Sequence, residues 1–63
     1  MSGHSHRISE IKSELARLFS EQTAFFQKGR RAKHTEIELA EYEKRRQRIR
    51  DLFAEMEQLV KVA

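Results

Sequence analysis

The sequence predicts an all-α chain: an antiparallel two-helix hairpin that pairs with a second copy into a four-helix bundle. Three observations predict it. Apolar residues recur at steps of three and four along two long stretches. A short basic segment containing a glycine separates them. The 63 residues include no proline and only two glycines, Gly3 and Gly29, so little in the chain interrupts a helix.

Residues 1–7, MSGHSHR, are small and polar and read as a flexible leader. The first helix is expected over residues 8–27, with Ser5 or Ser9 able to cap its start. Its stripe runs Ile8, Ile11, Leu15, Leu18, Gln22, Phe25, and Phe19 and Phe26 widen it. At 100° per residue these positions share an arc of about 120°, the width of a core-facing helix surface.

Residues 28–35 form the expected connection. Gly29 sits three residues past the end of the stripe, between Lys28 and Arg30. A glycine able to adopt φ > 0, with cations near the last carbonyls, predicts a helix stop. Thr35 then offers its hydroxyl to the amide of Glu38, whose carboxylate can return to the Thr35 amide, a capping box. The second helix is expected over residues 36–61. Its stripe is Leu39, Tyr42, Arg46, Ile49, Phe53, Met56, Val60, broadened by Leu52 and Leu59. A connection of about eight residues makes the helices antiparallel neighbours.

The doubled apolar positions (18/19, 25/26, 52/53, 59/60) give each helix two apolar ridges. One neighbouring helix covers one ridge, so full burial requires a second hairpin, and a homodimer is expected. The residues assigned to the core and dimer interface are Ile11, Leu15, Leu18, Phe19, Phe25 and Phe26 on the first helix, with Ile8 at its start. On the second helix they are Leu39, Tyr42, Ile49, Leu52, Phe53, Met56, Leu59 and Val60. Arg45 falls near the centre of the second stripe. A buried guanidinium needs a partner, and the facing segment of an antiparallel hairpin holds Glu21 and Gln22.

Charge and motif narrow the function classes. The formal charge of +3 permits a polyanion partner without demanding one. Lys28, Arg30, Arg31, Lys33 and His34 crowd the hairpin tip and are the candidate contacts for a polyanion or an acidic protein. The run Lys44 to Arg50 spreads its cations around the helix, with local partners expected in Glu41–Arg45, Glu43–Arg46 and Arg48–Asp51. If Met1 is removed, Ser2, Gly3 and His4 could hold Cu(II) or Ni(II) in a square plane through the amine, two amides and imidazole. No cysteine, phosphate-binding glycine loop or helical metal motif is present. The expectation is therefore a non-enzymatic, cofactor-free interaction or structural module that binds itself and a protein partner. The alternative is an RNA- or DNA-binding hairpin dimer using the basic loop. No run approaches the roughly 18 apolar residues of a membrane span, and the start lacks the apolar segment of a signal peptide, so a cytoplasmic location is expected.

Overall fold

A computed structural model describes residues 3–61 and shows two α-helices, α1 (Gly3–Gly29) and α2 (Glu36–Lys61), packed against each other as a hairpin. The molecule is a rod measuring 48 × 15 × 14 Å. Its radius of gyration is 14.6 Å, against about 10.6 Å for a compact globule of this length. The core is correspondingly thin. Ile11, Leu15, Leu18 and Leu52 are buried, with Ile49, Met56 and Leu59 packed against them. These residues lie on the facing surfaces of α1 and α2, where the steps of three and four had placed them.

One polar pair sits in this layer. Gln22 is 9% exposed, and its side-chain oxygen accepts a hydrogen bond from Arg45 Nε at 2.6 Å. Arg45 therefore has one of the two partners the antiparallel arrangement offered.

The connection realises the capping box. The Thr35 amide donates to Glu38 Oε1 at 2.8 Å, and the Glu38 amide donates to Thr35 Oγ1 at 3.1 Å. The Leu39 amide donates to the Thr35 carbonyl at 3.0 Å, the first bond of α2. Thr35 is thus the N-cap, and Glu36 and Glu38 fill the first turn with negative charge.

Three expectations need correction. Residues 3–7, read as leader, are helical, because Arg7 is tied across the hairpin to Glu55 and extends α1 by more than a turn. Ser5 and Ser9 accordingly lie within α1 and not at its start. Gly29 does not take a left-handed conformation. It is the last residue of α1, and its use is steric: a Cβ there would lie 2.7 Å from His34 Cε1. The missing side chain makes room for an imidazole that returns from the connection.

Candidate interaction surfaces

Heptad spacing gives the hairpin two unlike flanks. On α1, residues 7, 14 and 21 share one side of the core stripe and residues 12, 19 and 26 share the other. On α2 the corresponding sets are 41, 48, 55 and 39, 46, 53, 60.

The first flank is ionic. Arg7 grips Glu55 with two bonds, Nε to Oε2 at 2.5 Å and Nη2 to Oε1 at 2.7 Å. Arg48 grips Glu14 in the same way, at 2.8 and 3.1 Å. Arg17 adds a helical pair to Glu21 at 3.3 Å. Hydrogen bonds from the guanidinium groups hold the Glu14 and Glu55 carboxyls below their ordinary range, and raise Arg7 and Arg48 in return. Two of the three local pairs expected along Lys44 to Arg50 are replaced: Arg48 crosses to Glu14, Arg45 to Gln22, and Asp51 accepts from Gln47 at 3.0 Å. The third, Glu43–Arg46, does not form among the described residues.

The second flank is apolar and open. Phe19 and Phe53 stand across from each other, ring centroids 6.1 Å apart, and each is 45% exposed. Leu39, Phe26 and Val60 are exposed by 48%, 56% and 60%. Ile8, Phe53, Met56 and Val60 line an open groove of about 400 Å³ together with the charged Lys12, Glu57 and Lys61. Of the residues assigned to core and dimer, the hairpin itself buries the inner ridge. The outer ridge, Phe19, Phe26, Leu39, Phe53 and Val60, stays exposed.

At the tip, Phe25 lies between two rings. His34 stacks on it at 3.6 Å and 4°, and Tyr42 stacks at 4.6 Å and 18°. Phe26 meets Tyr42 and Phe25 edge-on. The His34 Nε2–H donates to the Phe25 carbonyl at 2.6 Å, which satisfies a backbone acceptor in the last turns of α1. Lys28 pairs with Glu38. That contact, with the Thr35 amide, pulls the Glu38 carboxyl from 4.5 to about 2.

The five expected tip contacts therefore separate into two groups. Lys28 and His34 are used inside the fold, whereas Arg30, Arg31 and Lys33 are exposed and form no side-chain hydrogen bond or ion pair among the described residues. The aromatic clasp had no signal within the loop sequence, because its Phe and Tyr members come from α1 and α2. The metal site proposed for Ser2, Gly3 and His4 includes Ser2, which lies outside the described residues. Among the described residues no group of three or more His, Asp or Glu is placed to hold a metal ion, and no helix is long and apolar enough to cross a membrane.

The chain matches no protein family, curated protein or solved structure. The surfaces themselves carry the functional reading.

Proposed function

We propose that this chain is a non-enzymatic homodimeric interaction module. Two hairpins close a four-helix bundle across the flank that carries Phe19, Phe26, Leu39, Phe53 and Val60. The observation that supports this most is the gathering of five of the six large exposed apolar side chains onto one flank, opposite the flank filled by ion pairs, with Ile37 in the first turn of α2 as the exception.

Area points the same way. The chain exposes 5047 Å², whereas a compact monomer of 7.5 kDa exposes about 4,200 Å². The excess, about 800 Å², is one partner's share of a standard protein interface. A second copy suits the flank because the flank is self-complementary. A twofold axis through the Phe19–Phe53 pair, perpendicular to the helices, gathers four rings at the centre. It sets Arg46, seven residues before Phe53, against the second copy's Val60, seven residues after it, with Glu57 one turn away. The lone guanidinium of the apolar flank then meets a carboxylate, which a buried charge requires.

Light scattering on size-exclusion chromatography tests the reading. The expected result is a dimer at micromolar concentration, converted to monomer by Phe19→Ser with Phe53→Ser. A wild-type chain that is monomeric and fully helical at that concentration would refute it.

A further inference from the structure

We infer that the hairpin tip is a docking site for the phosphate backbone of a nucleic acid, gripped by Arg30, Arg31 and Lys33. The inference concerns a surface separate from the apolar flank and does not depend on dimerisation.

Cations at the end of a helix ordinarily serve that end: they bond its last carbonyls and offset its dipole. Here other groups hold those positions. The Phe25 carbonyl accepts from His34, the Gln27 carbonyl from the Arg30 amide at 3.3 Å, and the Lys28 carbonyl from the amides of Arg31 and Ala32 at 2.9 and 3.0 Å. One carboxylate beside the connection, Glu38, is occupied by Lys28 and by the Thr35 amide. Glu36, exposed in the first turn of α2, leaves the tip in net positive balance. Three cationic side chains are left over for something outside the chain.

The cluster is also held in place. His34 is stacked on Phe25 and hydrogen-bonded to its carbonyl, Thr35 and Glu38 are mutually capped, and Gly29 leaves the space the imidazole needs. The segment between these anchors is short, so the backbone that carries the three cations is held in place, and binding has to order only their side chains.

The chemistry favours phosphodiesters. Guanidinium groups match phosphate oxygens two at a time. Arg30 and Lys33 are three residues apart, at most about 10 Å along the chain, which spans about three phosphates of a strand rising 3.4 Å per nucleotide. Arg30, Arg31 and Lys33 are all exposed, which suits an extended polyanion. A membrane surface fits poorly, since three cations add only about 1 kcal/mol each at an anionic leaflet and the loop offers nothing larger than Ala32 to insert.

Fluorescence anisotropy of the full chain with a labelled 20-mer, single-stranded and duplex, tests this between 50 and 200 mM salt. Three neutralised phosphates predict a loss of affinity of about 20-fold for the single strand and about 40-fold for the duplex across that range. Replacing Arg30, Arg31 and Lys33 with Gln is expected to abolish binding with helicity unchanged. Replacing Lys44 and Arg50, exposed cations in the middle of α2, is expected to leave it intact. The inference is overturned if neither oligonucleotide binds at 50 mM salt, or if the triple variant keeps its affinity and salt slope. It is equally overturned if polyglutamate or anionic vesicles bind the tip as tightly as the oligonucleotides.

Discussion

Replacing Gln22 and Arg45 separately and together should shift stability in opposite directions. Arg45 is half-buried and donates through Nε to Gln22, which is 9% exposed. In Gln22→Leu the guanidinium keeps its burial and loses this acceptor, and a hydrogen bond to a charged group contributes about 1.5–3 kcal/mol. In Arg45→Met the buried Gln22 amide is stranded instead, at a cost of about 1–3 kcal/mol. Each single variant is therefore expected to melt lower, by about 4–8 °C per kcal/mol for a chain of this size. Gln22→Leu combined with Arg45→Met removes both polar groups and leaves two apolar side chains of similar length, a change worth about 1–4 kcal/mol of added stability. The double variant should thus melt above the wild type while both singles melt below it. Circular dichroism melts at one fixed protein concentration measure this, since association shifts the midpoint. The reasoning fails if Arg45→Met alone raises the midpoint as far as the double variant and Gln22→Leu changes nothing. Arg45 would then be solvated past the edge of the stripe, and the 2.6 Å contact would carry no coupling.

Leu52→Ala, at a site with no exposure, should cost about 2–5 kcal/mol in urea titrations, whereas Ile37→Ala, at a site 73% exposed, should stay within about 0.5 kcal/mol of wild type. Gly29→Ala should not stabilise the wild-type chain, because its Cβ displaces His34; in a His34→Ala background the same change should gain about 0.5–1 kcal/mol by helix propensity. Acid should weaken the fold in a defined window. The Glu38 carboxyl is lowered from 4.5 to about 2, and Glu14 and Glu55 are lowered as well. Their contribution is complete above the unfolded value near 4.5 and is lost as pH falls toward 2. Melts from pH 7 to 2 should show this decline, and Glu38→Gln should lower the neutral-pH midpoint and flatten the decline.

Much of this architecture was legible because it depends on residues near one another in sequence or on one repeated period. The two stripes, the Thr35–Glu38 box and the Gln22–Arg45 contact all follow from spacing and antiparallel geometry. What escaped depends on side chains reaching across the hairpin. Local pairing gave Arg48 to Asp51, three residues away, but the structure sends it to Glu14. The reach of Arg7 to Glu55 likewise turned an apparent leader into a turn of helix. One signal was available: acid and base alternate at positions 7 and 14, and again at 48 and 55, in the order an antiparallel partner needs. No such signal marked the His34 clasp, since its position depends on how the chain leaves Gly29.

That alternation also explains why an exposed set of ion pairs matters in a fold to which surface pairs add little stability. Slide α2 by one heptad, about 10 Å along α1, and the apolar stripes still meet, because both repeat with the same period. The ionic flank does not tolerate the slip. In one direction Arg7 comes beside Arg48 and Glu14 beside Glu41, two like pairs. In the other, Glu14 comes beside Glu55, and one opposite pair, Glu21 with Arg48, replaces the two that the native register makes alongside its single like pair, Glu21 with Glu41. Either slip also parts Arg45 from Gln22, leaving a guanidinium in the stripe without its acceptor. Charge and the single polar core contact thus select one register from several that hydrophobic burial alone would allow. The flank opposite carries no such ladder: Lys12 and Arg46 are interspersed among Phe19, Phe26, Leu39, Phe53 and Val60, with no ion pair among the described residues. One side of the hairpin is committed to aligning its own helices, and that commitment leaves the apolar side available for a second copy.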